Sequence, residues 1–288
     1  MHSLWKTNGE QGGTAMEQKK WFAVVGSDAR QAAAGRALMR AGYAVGGDES
    51  IARADYILLP LPLDAERAGL AGLLRAVKPG ALALGGKVSP LACETARAAG
   101  VELIDYFKRE ELTVLNAIPT AEGCIELLLR RSQRTLCGTP VLVIGFGHVG
   151  RALAPRLNAL GAPVTVAARS PAQRAEARSM GLAAENTAHL QTLAPRFDTV
   201  VNTAPAPLLT QAVLCALPPH SLIVDLASRP GGTDFAAAEA LGHTALHALS
   251  LPAACAPESA GEYVAHTVLA ILAERETARD AQTEKMDQ

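Results

Sequence analysis

Val141-Leu142-Val143-Ile144-Gly145-Phe146-Gly147-His148-Val149-Gly150 is the stretch on which the fold turns. Its four leading apolar residues read as a strand buried on both faces, as in a parallel sheet. The G-x-G-x-x-G that follows opens directly into a helical stretch. Each glycine then has a task. Gly145 makes the tight turn, Gly147 lets the backbone approach a pyrophosphate, and Gly150 lets helix and strand pack closely. The helix N-terminus offers N–H groups and a positive dipole end to phosphate oxygens. Phe146, His148 and Val149 complete the loop as candidate cofactor contacts. A structural turn is the alternative, and the strand and helix flanks argue against it.

The next strand, Val164 to Ala167, bears on which dinucleotide is bound. An NAD site usually carries Asp or Glu about 20 residues on, where it binds the ribose hydroxyls. No carboxylate lies between Asn158 and Ala175, and Arg169-Ser170 follow the strand instead. Arg169 suits a bidentate contact with a 2′-phosphate, with the Ser170 hydroxyl beside it. NADP is therefore expected, with NAD possible; an ordinary loop cation is the other reading of Arg169. Asn202-Thr203-Ala204-Pro205 follows the apolar run Thr199 to Val201. Loops after the carboxyl ends of strands line the ligand crevice, which places Asn202, Thr203 and Pro205 near the nicotinamide ribose. A plain turn is again the alternative.

Strand, turn and helix alternate outward from this core. Leu222 to Asp225 closes the second series of strands. Upstream, Trp21 to Val25, Tyr56 to Leu59, Ala81 to Leu84 and Val101 to Ile104 are short apolar runs separated by helical segments. The expected fold class is α/β, two doubly wound parallel-sheet domains, the second a Rossmann dinucleotide-binding domain. Residues 1–20 are polar and read as a disordered leader, with Met16 an alternative start. Residues 21–120 form an N-terminal, flavodoxin-like substrate domain, completed by a C-terminal helix over 258–275. Residues 121–135 are a connecting helix, its start set by Pro119, which favours extended or turn geometry just before it. Residues 136–257 are the Rossmann domain.

Composition narrows the function classes. Hydrophobic residues are 49% of the 288 and charged residues 19%, a balance that suits a packed α/β protein. A formal net charge of −1 leaves no electrostatic footprint for nucleic acid or an anionic membrane. A small molecule is the expected partner. The five cysteines are scattered without a CxxC or Cys/His cluster, so neither a metal site nor a disulfide framework is expected. Reduced thiols fit a cytoplasmic protein. The Ala-rich stretch from Phe235 to Pro257 is broken by Glu239, Gly242, His243, His247 and Pro252, unlike a membrane span.

Three polar, turn-rich segments are expected to converge between the domains: Asp28 to Gln31, Asn116 to Gly123 and Asp225 to Asp234. Arg30 and Arg229 suit two-point contacts with carboxylates, and the glycine pair Gly231-Gly232 offers backbone donors to an anion. Helix capping by Asp28 and Thr233 is a compatible reading.

These words together resemble the family of dipicolinate synthase A chains. Ser27-Asp28-Ala29-Arg30-Gln31, Asn116 to Gly123, the glycine motif, Ala168-Arg169-Ser170 and Asp225-Leu226-Ala227-Ser228-Arg229-Pro230-Gly231-Gly232-Thr233-Asp234-Phe235 carry the resemblance. It implies NADP-dependent oxidation of dihydrodipicolinate to dipicolinate, with a role in sporulation, in the mother-cell cytoplasm. It also implies a partner, the flavoprotein-like B subunit. A homo-oligomer is also possible. On that reading Arg30 and Arg229 orient the two carboxylates of a small dicarboxylate. Asn116, Thr120, Ser228, Gly231, Gly232 and Thr233 complete the substrate site. Glu122 is the candidate for handling the proton, or a carboxylate capping its own helix. Two positions depart from the family: His148 stands where Arg is frequent, and Ser250 to Glu258 lacks glycines and a lysine.

Two other functions stay in view. A D-2-hydroxyacid dehydrogenase shares the two-domain layout, but such enzymes resemble one another in a Pro-His pair before the final helix. Here Pro252-Ala253-Ala254-Cys255 stands there with no His to exchange the alcohol proton. A non-catalytic NADP-binding regulatory subunit would keep the same glycine loop.

Overall fold

A computed structural model describes residues 19–66 and 69–286; all but Lys19 and Lys20 of the expected leader therefore lies outside the described residues. The first domain runs β1 (Trp21–Val24), α1 (Ala29–Arg40), β2 (Ala44–Gly46), β3 (Tyr56–Leu58), α2 (Leu70–Arg75), β4 (Leu82–Gly85), α3 (Pro90–Ala98) and β5 (Glu102–Asp105). All its strands are parallel, in the order β2-β1-β3-β4-β5. Helix α4 (Glu110–Arg131) crosses to the second domain. There follow β6 (Val141–Ile144), α5 (His148–Ala159), β7 (Val164–Ala167), α6 (Pro171–Ser179), β8 (Ala183–Glu185), α7 (Leu190–Leu193), β9 (Thr199–Asn202), α8 (Gln211–Leu214), β10 (Leu222–Asp225), α9 (Phe235–Ala240) and β11 (Thr244–His247). This sheet is also parallel, in the order β11-β10-β9-β6-β7-β8. Short α10 (Leu251–Cys255) and long α11 (Pro257–Met286) follow.

Both sheets are buried on both faces, which is why their central strands read as unbroken apolar runs. β4, β6, β7, β9 and β10 are buried at every position. Helix α11 returns to the first domain, where Val264, Ala265, Val268, Ile271 and Leu272 pack with Phe22, Leu38 and Leu58. It continues about three turns past the expected end at residue 275. Residues 276–284 of it are solvent-exposed and mostly polar.

The connecting helix differs from expectation. It begins at Glu110, and Asn116 to Gly123, expected as a turn-rich joint, lies within it. Pro119 sits inside the helix with its side chain buried. Proline there removes one i→i−4 hydrogen bond. Burial offsets the loss: Leu112 packs into the first domain's core, and Ala121, Cys124 and Leu128 into the second's. The Thr120 hydroxyl donates to the Asn116 carbonyl at 2.7 Å, and the Cys255 thiol to the Pro119 carbonyl at 3.1 Å. By length and composition this helix is apolar enough to cross a membrane. Its buried side chains, Leu112, Ala121, Cys124 and Leu128 among them, fill the two cores, while Val114 and Leu129 are exposed.

Candidate cofactor and substrate site

The order β11-β10-β9-β6-β7-β8 reverses direction between β6 and β9, so the chain leaves these two neighbours toward opposite faces. A crevice opens at such a switch point, outside the carboxyl ends of the strands. One of about 450 Å³ lies there, lined by Gly145, Gly147, Arg169, Thr203 and Pro205 among others. Sequence reasoning missed Gln173, Thr187, Ala206 and Leu208 in its wall. Gln173 lies on the capped first turn of α6, just after Ser170, a legible position. Thr187 lies after β8 and carries no sequence signal.

The glycines divide by what surrounds them. Gly145 has φ +95°, a left-handed conformation that other residues rarely adopt. A Cβ on Gly150 would collide with the Gly145 carbonyl, so the helix can start this close to the strand only without one. A Cβ on Gly147 would meet nothing within 4 Å. Gly147 is also the N-cap of α5, and no side chain accepts from the first-turn amides there. An open cradle faced by unclaimed amides at a helix N-terminus fits a pyrophosphate. Phe146, by contrast, turns its ring into the core and is 1% exposed, so only its backbone can touch a cofactor. His148 and Val149 are half-buried, and the His148 ring lies 3.9 Å from Glu110.

Arg169 is exposed, and its guanidinium has no hydrogen bond or ion pair among the described residues. Ser170 caps α6, its Oγ accepting from the Gln173 amide at 3.5 Å. The loop after β9 behaves differently from expectation. Thr203 Oγ1 donates to the Ile144 carbonyl at 3.0 Å and presses against Gly145, supporting the glycine turn from behind. The Asn202 amide is fully buried and engaged at both ends: it donates to Ala204 O and Asp225 Oδ1 and accepts from Ala204 N. The Asn202 side chain, fully buried, is corrected from a cofactor contact to a support of the crevice, whereas Thr203 stays in the crevice wall with its hydroxyl engaged. Pro205 stays on its exposed wall.

The loop after β10 is built around Asp225. This carboxylate is 0% exposed and accepts hydrogen bonds on both oxygens. Asn202 Nδ2 and Ala227 N reach Oδ1 at 3.0 and 2.9 Å; Gly232 N and Thr233 Oγ1 reach Oδ2 at 2.8 and 2.7 Å. The Gly231 amide donates to Ser228 O at 2.9 Å. The glycine amides and the Thr233 hydroxyl, expected to face an anion, are thus engaged within the loop. Thr233 is not the cap of α9 either; Asp234 is, accepting from Ala237 N at 2.9 Å. His247 hydrogen-bonds Ala227 O at 2.8 Å and stacks on Phe235, a supporting role. What the loop presents outward is Ser228 and Arg229, both exposed, the latter with no side-chain partner among the described residues. The sequence carries a signal for Asp225: a lone acid ending an apolar strand, shortly before a glycine pair.

In the first domain the corresponding switch point lies between β1 and β3. Asp28 caps α1 and forms an ion pair with Arg30 at 2.6 Å. That guanidinium, through its hydrogen bonds, holds the Asp28 carboxyl below its usual range, against the opposing effect of burial. Arg30 Nη2 also donates to Leu61 O at 2.8 Å. Arg30 is therefore already neutralised locally. Among the described residues, no hydrogen bond joins it to the Arg229 loop. Asn116 and Thr120 lie half-buried on α4, and the Thr120 proton is engaged by Asn116 O, which corrects its expected role as a donor. Glu122 lies mid-helix, exposed, and so cannot cap a helix that begins at Glu110. Its charge, after the larger effect of burial, helps raise the Cys255 thiol and Tyr263.

Comparison with known proteins agrees with this geometry. Residues 123–241 match the D-isomer specific 2-hydroxyacid dehydrogenase, NAD binding domain family. The dipicolinate synthase A chain of Bacillus subtilis superposes with a TM-score of 0.78 at 31% identity, covering 92% of this chain and 99% of that one. The chain belongs to the dipicolinate synthase A-chain family. In sequence, this family member is 42% identical over 179 residues to its Bacillus subtilis (strain 168) counterpart, covering 62% of this chain. The matched stretch spans 60% of that relative's length. The corresponding protein of Bacillus halodurans superposes with a TM-score of 0.80 at 29% identity, over 88% of this chain and 98% of that one. The fold class is that of these structures, two parallel-sheet α/β domains with a dehydrogenase-type NAD-binding domain second.

Proposed function

We propose that this chain oxidises dihydrodipicolinate to dipicolinate with NADP as acceptor, alongside a B subunit, in the mother-cell cytoplasm of a sporulating bacterium. The observation that carries the reading is the uncommitted guanidinium of Arg229, on a loop hydrogen-bonded to Asp225 at the same carboxyl edge as the open glycine cradle. The dinucleotide, when bound, supplies the acceptor for the two electrons and one hydrogen leaving the ring. The protein orients and holds. Arg229 meets one substrate carboxylate through two parallel N–H···O bonds, with Ser228 beside it. Arg30 meets the second through Nη1, the nitrogen that neither Asp28 nor Leu61 engages. Asn116 lends a half-buried amide from α4. Glu122 takes the second hydrogen as a proton. Arg169 and Ser170 face the 2′-phosphate, which favours NADP over NAD.

The family model alone would allow hydroxyacid oxidation. The helix Leu251–Cys255 supplies no histidine for the alcohol proton, and burial raises its Cys255 thiol, which weakens it as an acid/base at neutral pH. The direct test adds dihydrodipicolinate and NADP+ to the purified chain, with and without the B subunit, and follows nicotinamide absorbance. Reduction by the chain alone is expected. No reduction under either condition contradicts the reading; reduction only with the partner assigns the chain a binding or obligate-complex role.

A further inference from the structure

Asp225 raises a question that capping and packing do not answer. A fully buried carboxylate without an ion-pair partner is costly unless its lone pairs are filled. Here the donors that fill them come from two loops: Asn202 from the end of β9, and Ala227, Gly232 and Thr233 from the loop after β10. Asp225 and Asn202 are direct register partners on adjacent parallel strands, and Ile144, just before the glycine turn, is the next in the same row. The Asn202 amide also fixes both backbone polar groups of Ala204 in the crevice wall. One hydrogen-bonded node therefore ties the wall of the dinucleotide crevice to the loop that carries Arg229.

We infer that Asp225 and Asn202 are positioning residues that set Arg229 for a carboxylate by anchoring its loop to the wall of the dinucleotide crevice. The inference rests on the proposed reading for the identity of the carboxylate ligand, though not for the locking of the loop. A neutral amide at 225 can accept at one end only. It would then present an N–H to donors at the other, and the loop from Leu226 to Gly232 would lose its anchor. Thr233→Val removes a single bond to Asp225 with little change of shape, and Thr233→Ser keeps the hydroxyl.

The test uses the full chain with NADPH and dipicolinate, pyridine-2,6-dicarboxylate, as the probe ligand. Affinity for dipicolinate on the NADPH-loaded protein is measured for wild type, Asp225→Asn, Thr233→Val, Thr233→Ser, Arg229→Ala and the doubles with Arg229→Ala. Asp225→Asn is expected to weaken dipicolinate about 10-fold or more while NADPH alone binds within about twofold. Thr233→Val should weaken it less, and Thr233→Ser should restore it. In the Arg229→Ala background both effects should vanish, because the node acts through Arg229. Additive effects would overturn the inference and leave Asp225 a structural residue. If Asp225→Asn fails to fold, the Thr233 series decides by the same criterion. Amide hydrogen exchange over residues 226–233 reads the locking without any dicarboxylate, and unchanged exchange in the variants would also overturn it. Wild-type protein that binds NADPH but no dipicolinate would contradict the substrate reading instead, with the exchange result then deciding the locking separately.

Discussion

The carboxyl edges of the two sheets are organised in opposite ways. In the second domain the polar groups are engaged inward, on Asp225, Ala204 and Ile144, and Arg229 is left outward with no side-chain partner among the described residues. In the first domain the corresponding cation, Arg30, is already paired with the Asp28 carboxylate of its own turn. A clamp of the first kind is uncompensated: it breaks no existing ion pair on meeting an anion, though its free side chain must be ordered. One of the second kind must share or exchange its partner. The difference teaches that sequence proximity of an arginine to a turn says little about its availability. What its neighbours already bond decides.

The largest effect should come from the glycine cradle itself. Gly150→Val forces a side chain against the Gly145 carbonyl and should abolish dinucleotide binding, a loss of about 100-fold or more by calorimetry, whatever happens in the first domain. Next, Arg229→Ala should lower turnover about 100-fold with NADP+ affinity within about threefold, whereas Arg30→Ala should cost about 10-fold or less. Equal losses at the two arginines would erase the contrast between free and paired cations. Arg169→Ala should weaken NADP+ about 10-fold and leave NAD+ unchanged, as read by paired titrations.

The smallest effect concerns stability at the Asp28–Arg30 pair. The Asp28 pKa is lowered in the folded state, so its contribution is present above the unfolded value of about 4 and is lost as pH falls through the folded value. Asp28→Asn should therefore be less stable than wild type near neutral pH by no more than about 1 kcal/mol, since the side chain is 35% exposed and screened. The two melting curves should draw together as pH falls below about 4 and converge only below the folded Asp28 value. A gap that persists there would assign the effect to the α1 cap rather than the charge.

The sequence is most legible where burial is two-sided. The runs at β1, β3, β4, β6, β7, β9 and β10 announce themselves, because a strand covered on both faces has no polar alternation. The edge strands Ala44–Gly46, Ala183–Glu185 and Thr244–His247 are silent: short, partly exposed, and mixed in composition. Pro119 misleads because a helix-breaking residue is tolerated when packing on both sides outweighs one lost hydrogen bond. At the site, the glycine loop is readable since each glycine answers to a steric requirement. The roles of Asn202, Thr203, Gly232 and Thr233 are not, because motif residues that build a loop look the same in sequence as those that touch a ligand. Only the partners of each donor separate them.

The central claim is that the cradle at Gly147 takes a pair of linked phosphates. Isothermal titration of the wild-type chain with NADP+ and with NAD+, paired with thermal melts, tests it most directly. Saturable heat with a Kd in the micromolar range or tighter, a rise in melting temperature and tighter binding of NADP+ are the predicted results. No heat and no thermal shift with either nucleotide would contradict the account.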